Sequence, residues 1–307
     1  MTPGLTAFLS GHPAARRPLA APRPLTGGLS GAELWRFESA SGPLVARAWP
    51  ITMTAERLAA IHDWLSTASG LSFIAVPLAD LKGRTASEHG GRLWELQPWL
   101  RGSPGPPERA RVEAAFRGLG ALHALFAFAR MEGQSTGLAQ RADELRGLLQ
   151  EGLYRIEGGA IKSFGVAGRE WLSRARALAP PLLEATTRAA RRIVPLQPCL
   201  RDARPDHFLF DGERLSGLVD YGAMGIETVA ADLARLIGEW FPGDRPLKGI
   251  ALAAYDGVRP LATSETALID VFERSSGLLI GAHWLTSAPS ALALERLRLS
   301  LRTLRGA

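Results

Sequence analysis

The 307-residue chain has a single cysteine, Cys199, so no disulfide can form within it, and that usage is compatible with a reducing compartment. No apolar run approaches the roughly 20 residues that span a bilayer. The N-terminal MTPGLTAFLSGHPAARR carries its arginines after the short apolar stretch, the reverse of a secretory signal. These absences lead to the expectation of a cytoplasmic protein with no membrane segment. Lysine is also scarce: only Lys82, Lys162 and Lys248 occur, and arginine supplies the rest of the 36 basic residues. The net charge is +6, yet adjacent arginines occur only at Arg16–Arg17 and Arg191–Arg192. No basic run interleaves with aromatics, so the charge is read as a preference for small anionic ligands such as nucleotide phosphates, and no nucleic-acid partner is expected. His12, His62, His89 and His283 lack metal-ligand spacing.

A hydrophobic content of 46% and eight tryptophans argue for a packed globule, and the length allows one large core or two moderate lobes. Residues 1–24, rich in Pro, Ala and Arg, read as an irregular leader. From Thr26, GGLSGAELWRFESASGPLVARAWP gives a glycine cluster, then strand, turn and strand. Thr54–Ser66 has helical spacing at Leu58, Ile61, Trp64 and Leu65. Phe73–Leu78 and GRLWELQPWLRG read as two more strands, the second ending near Trp99. RGSPGPPE (101–108) marks a boundary, so domains are expected at 1–100 and 101–307. Beyond it, helical periodicity places a helix after 108 and others near 138–156, 168–192, 228–240, 265–285 and 290–304.

Between these helices lies one non-helical island, IVPLQPCLRDARPDHFLFDGERLSGLVDYGAMG. Its turn at Asp211–Gly212 separates short apolar strands at Phe208–Phe210 and Leu215–Val219, and a hairpin of this kind brings its open ends together. Asp202 precedes the first strand and Asp220 ends the second. Two carboxylates so placed suit phosphoryl transfer: one orients or deprotonates an attacking hydroxyl and the other holds magnesium on the phosphates. Either aspartate alone is more often a capping, solvated or turn residue. His207 divides evenly between metal ligand and strand-start hydrogen-bonding group, and Cys199 reads as a small buried hydrophobe.

LRDARPDHFLFDGERLSGLVDYGAMGIETVAADLARL resembles the aminoglycoside phosphotransferase and choline-kinase-like family, which carries H-G-D-x4-N, a strand, a DG turn, a second strand and D-F-G. The resemblance makes Asp202 the catalytic aspartate, His207 the counterpart of the metal-binding Asn, and Asp220 the metal-binding aspartate. The family's A-x-D-L-A element, which buttresses the catalytic loop, is matched by Ala230–Ala234 with Asp232. More weakly, GGLSG is similar to the loop over the nucleotide phosphates, through Gly28, Ser30 and Gly31. VARAWP places Arg47 where the family pairs a basic residue with the phosphates, its acidic partner being Asp63 or Glu56. WELQPWLRG resembles the segment that bonds adenine, through Gln97, Pro98 and Leu100, and His123 in GLGALHALF matches a structural histidine. The family's His-Gly before the catalytic aspartate is Leu200–Arg201 here.

The resemblance implies an α+β, two-lobed protein-kinase-like fold with a small antiparallel-sheet N-lobe and a mainly helical C-lobe. It implies ATP as co-substrate, Mg2+, and a small hydroxylated metabolite as acceptor. The altered Leu200–Arg201 and His207 positions favour a second reading, a catalytically inactive kinase-like binding protein. Trp240, Asp244, Tyr255 and Trp284 are candidates for the acceptor pocket. A polycationic acceptor is disfavoured by the net positive charge.

Overall fold

The computed structural model describes residues 2–25 and 31–305, and within 157–162 the backbone only. In chain order the elements begin with α1 (Pro3–Ser10), β1 (Arg23–Leu25), β2 (Glu33–Ser39), β3 (Gly42–Ala48), α2 (Ala55–Thr67), β4 (Ala86–His89) and β5 (Arg92–Pro98). Then come α3 (Arg109–Phe126), β6 (Met131–Gly133), α4 (Thr136–Gly147), α5 (Leu153–Ala190), β7 (Val194–Cys199), β8 (Phe208–Asp211), β9 (Arg214–Leu218) and β10 (Gly225–Glu227). The chain closes with α6 (Val229–Trp240), α7 (Arg245–Asp256), α8 (Thr263–Thr286) and α9 (Ala291–Arg305). Two compact units result: Met1–Ser103 with His207–Gly222, and Pro104–Asp206 with Ala223–Ala307.

In the first unit, the strands form an antiparallel sheet in the order β1-β2-β3-β5-β4. Alternation along β2 buries Trp35 and Phe37, and the sheet's buried face adds Leu44, Ala46, Trp94 and Leu96. The expected leader is in fact structured. Thr2 caps α1 by accepting from Leu5 N–H, and a proline opens the helix, where its missing N–H has no consequence. Leu5, Phe8 and Leu9 are then buried in the same cluster, with Phe8 stacked on Trp94 at 5.5 Å. The short β1 extends the sheet beside β2. Phe73–Leu78, expected as a strand, joins no named strand. Pro77 interrupts its donors, and its ends are tied separately: Phe73 O accepts from Leu218 N–H and Leu78 N–H donates to Leu96 O.

The β8–β9 hairpin, placed with the helical part by the sequence, groups with the first unit. Phe210 and Ser103 exchange both backbone bonds, at 2.9 and 3.1 Å, and Ile74 bridges Leu218. Gly102, at φ +118°, lets the chain pass, because a Cβ there would lie 2.8 Å from Phe210 O.

The second unit buries helix faces around β7, whose six residues are all buried between β6 and β10. By length and composition, Arg109–Ala129 alone among the described residues is apolar enough to cross a membrane. Its apolar face, including Val112, Phe116, Leu119 and Leu122, is buried within this unit. α5 is broken at Gly165, where φ is 54° and ψ −125°. The sequence pattern missed α7, where a proline and a glycine mask a helix capped by Asp244 on Leu247 N–H.

Because Phe8 fills the sheet's core, Phe8→Ala should destabilise the fold by about 3–5 kcal/mol, read by chemical denaturation. A loss of less than about 1 kcal/mol would show that α1 is an appendage.

Candidate active site

In the first unit, three side chains named from the sequence meet at the hairpin's open end. Val219 N–H donates to His207 O at 3.0 Å, which draws the ends of β8 and β9 together and sets Asp220 beside His207. Asp220 Oδ2 lies 3.7 Å from His207 Nε2, and Asp220 Oδ1 lies 3.6 Å from Arg47 Nη1. His207 is buried, whereas the Asp220 side chain is 50% exposed. Among the described residues, no group donates a hydrogen bond to the Asp220 carboxylate, so its lone pairs are available.

Asp220 adopts φ +66°, a left-handed conformation that costs an L-residue about 1–2 kcal/mol. The following residues hold it there. Tyr221, buried, donates its hydroxyl to Leu218 O, and burial raises its pKa above the usual tyrosine range. Gly222 passes so close to Trp49 that a Cβ would come within 2.9 Å of the indole, and its carbonyl accepts from Arg57 Nη2 at 2.8 Å.

Arg47 lies over the Trp49 ring at 4.6 Å and 3.6 Å from Glu95 Oε1. Neither expected acidic partner, Asp63 nor Glu56, pairs with it. Glu95 takes that place because the β3–β5 register sets Arg47 directly opposite it. α2 contributes instead through His62, whose Nε2 lies 2.7 Å from Glu95 Oε2 while Nδ1 meets Thr85 Oγ1 at 2.8 Å. The clue in the sequence was a charged residue inside the apolar run LWELQ. Arg47 Nε is buried without a hydrogen-bond partner among the described residues.

Gly28 and Ser30 lie outside the described residues. Gly31 sits before β2 at φ +72°, and its carbonyl accepts from Arg92 Nη2 at 2.8 Å. Gln97 and Pro98 pair with Val45 and Leu44 at the end of β5. Trp99 N–H is taken by Pro43 O. Among the described residues, no acceptor takes the Leu100 N–H.

Asp202 belongs to the second unit. There Asp232, fully buried, accepts from Leu200 N–H at 2.6 Å and Arg201 N–H at 2.7 Å, and meets His123 Nε2 at 3.1 Å. His123 Nδ1 in turn meets the Tyr255 hydroxyl at 2.8 Å. This clamp holds Arg201 at φ +63°. Arg201 and Asp220 are the non-glycine residues with positive φ among those described, and such backbone strain clusters at functional sites. Asp202 Oδ1 then lies 3.1 Å from Arg235 Nη2, on α6. Cys199 is buried and donates to Glu227 O, and burial pushes its pKa well above the thiol range.

Of the acceptor-pocket candidates, Trp240 Nε1 donates to Gly105 O, Asp244 caps α7, and Tyr255 backs His123. Arg235, which no motif announced, lines a cavity of about 360 Å3 within this unit.

A family comparison matches residues 21–263 to the phosphotransferase enzyme family. The chain belongs to that family. The homoserine kinase of Mesorhizobium japonicum is 36% identical over 104 residues, 31% of this chain and 32% of that kinase. The chain thus matches about a third of the length of that curated relative. Among solved structures, an aminoglycoside phosphotransferase from Alicyclobacillus acidocaldarius superposes with a TM-score of 0.66 at 15% identity, covering 100% of this chain and 93% of its own. An amicoumacin kinase solved with AMP-PNP and Ca2+ superposes at 0.62 and 13% identity, covering 92% and 88%. Those likenesses establish the two-lobed kinase-like fold, with an antiparallel sheet in the N-terminal part and helices in the C-terminal part.

In this phosphotransferase-family chain Arg201 occupies a left-handed turn that glycine adopts without strain. Arg201→Gly should therefore stabilise the protein, by up to about 1 kcal/mol after the added chain entropy of glycine. Asp232→Ala leaves two buried amides without acceptors and should cost about 3 kcal/mol or more. Thermal unfolding of both variants checks this, and a destabilised Arg201→Gly protein would count against a strained turn.

Proposed function

We propose that this chain is a small-molecule kinase that transfers the γ-phosphoryl group of ATP to a hydroxyl of a small metabolite. The observation that carries the reading is the Asp220 group: a half-exposed carboxylate that receives no hydrogen bond among the described residues, held in a left-handed turn between Arg47 and His207.

The donor set suits magnesium. One carboxylate with open lone pairs, completed by water and phosphate oxygens, is how that ion is usually held, and it needs no dedicated protein cage. When bound, the ion neutralises charge on the phosphates. Asp220 would hold it, while His207, a poor ligand for a hard cation, would serve a phosphate oxygen or orient Asp220. Arg47, with its unsatisfied Nε and no hydrogen bond among the described residues, offers its N–H groups to phosphate oxygens. Leu100 N–H, with no acceptor among the described residues, would serve the adenine edge, and the glycine-rich segment of Gly28, Ser30 and Gly31 would serve the phosphates.

Asp202 would orient the acceptor hydroxyl. As the hydroxyl oxygen bonds to the γ-phosphorus, the bond from that phosphorus to the bridging oxygen breaks and the nucleoside diphosphate leaves. The hydroxyl proton passes to Asp202 and on to solvent. Arg235 donates to Asp202 Oδ1 at 3.1 Å and so fixes the direction in which the carboxylate can accept the acceptor hydroxyl. That suits a loose transition state in which positioning dominates.

The second reading, an inactive kinase-like binder, rests on Leu200–Arg201 and His207. Asp202→Asn separates the two readings. It should lower turnover about 10²–10⁴-fold and leave ATP affinity unchanged, measured by coupled assay and calorimetry. Equal turnover in both proteins would remove Asp202 from the chemistry. Firm nucleotide binding by the wild type with no turnover of any hydroxylated metabolite would favour the inactive binder.

A further inference from the structure

The cavity of about 360 Å3 within the second unit is of a size for a small metabolite. Arg235 on its wall links it to Asp202 at 3.1 Å. The other wall charges are Arg141, Arg201, Glu144 and Glu227, and His283 also lines the cavity. Their balance decides what the cavity accepts.

Arg235 is already compensated, by Asp202 and by Glu239 at 2.9 Å. Glu227 is engaged by the backbone, accepting from Gly137 N–H and Thr228 N–H, both at 2.8 Å. Glu144 is exposed and accepts from Gln140. Arg141 and Arg201 differ from these. Among the described residues neither has a carboxylate within ion-pairing distance. Arg141 is held by neutral groups: Nε donates to Ser276 Oγ at 3.2 Å, Nη1 donates to Gly137 O at 3.1 Å, and the guanidinium lies over Phe272 at 4.9 Å. Burial, with Arg235 and Arg201 nearby, lowers its pKa from the usual arginine value despite Glu144 and Glu227. A fixed cation that stays protonated while poorly compensated is a binding site prepared for an anion. Leu279 and Ile280 give the cavity an apolar side, which would cover a short carbon chain.

We infer that the acceptor is itself an acid: a small hydroxylated molecule whose carboxylate or phosphate group is held by Arg141 and Arg201, with its hydroxyl towards Asp202. The hydroxyl end rests on the kinase reading, whereas the anion end stands on the cavity alone.

The test measures binding and transfer separately on the full-length protein. The probes are 4-hydroxybutyrate and glycerol 3-phosphate, their uncharged counterparts 4-hydroxybutyramide and glycerol, and the cation 4-aminobutanol. Calorimetry should show the acids binding at least about tenfold more tightly than the uncharged and cationic probes. Arg141→Gln and Arg201→Gly should each weaken acid binding about 10- to 100-fold and leave glycerol unaffected. The glycine variant suits the backbone at 201, so it remains informative if Arg141→Gln fails to fold. Preference between the two acids distinguishes a carboxylate from a phosphate. Equal binding of acids and uncharged probes, no acid binding at millimolar concentration, or unchanged acid affinity in both variants would overturn the inference. Charge-selective binding without phosphate transfer from ATP would uphold the anion site and sink the kinase reading, so the two failures are distinct.

Discussion

A buried carboxylate on α6 governs the loop that precedes the hairpin. Asp232 is fully buried, and it is stabilised by two backbone N–H groups and an imidazole. The same three bonds fix Leu200 and Arg201, so the chain leaves β7 in a left-handed turn that an arginine would not adopt unaided. Charge burial and backbone strain offset each other here: removing the carboxylate frees the turn, and removing the turn strands the carboxylate. Asp202 follows directly, so its direction is inherited from Asp232. The polar network continues inward through His123 and Tyr255, and through Gln197, which donates to His123 O and accepts from Arg259.

The first unit solves the corresponding problem differently. Among the described residues, no buried acid accepts from the backbone at Asp220. Its left-handed turn is held by hairpin closure at His207, by the buried Tyr221 hydroxyl, and by a glycine at 222 that fits against Trp49. The result is a carboxylate with open lone pairs, facing an arginine whose own position depends on Glu95 and His62. Substitution at His62 or Glu95 therefore acts on Arg47 through geometry.

The sequence made the hairpin and both aspartates legible because their signal is local: a DG turn, two short apolar strands and fixed spacing. The main helices were legible from periodicity. What escaped was set by tertiary contact. α1 looked irregular because its prolines and arginines hide three buried positions, Leu5, Phe8 and Leu9. α7 was masked by Pro246 and Gly249. Glu95 could not be assigned to Arg47 without the β3–β5 register, and Asp63 and Glu56 were nearer in sequence but on the wrong element. Arg141, Arg235 and Glu227 come from three separate segments of the chain, and no motif connects them. Arg201 reads in one dimension as a departure from the family's motif, and the sequence did not announce that it stands in a left-handed turn.

The central claim is that Asp220 holds a divalent cation on the nucleotide phosphates. Titration of Mn2+ followed by electron paramagnetic resonance, with and without ATP, tests it most directly. The account predicts tight Mn2+ binding by the wild type only when ATP is present, and loss of that enhancement in a folded Asp220→Ala protein. Equal nucleotide-dependent Mn2+ binding by the two proteins would contradict it.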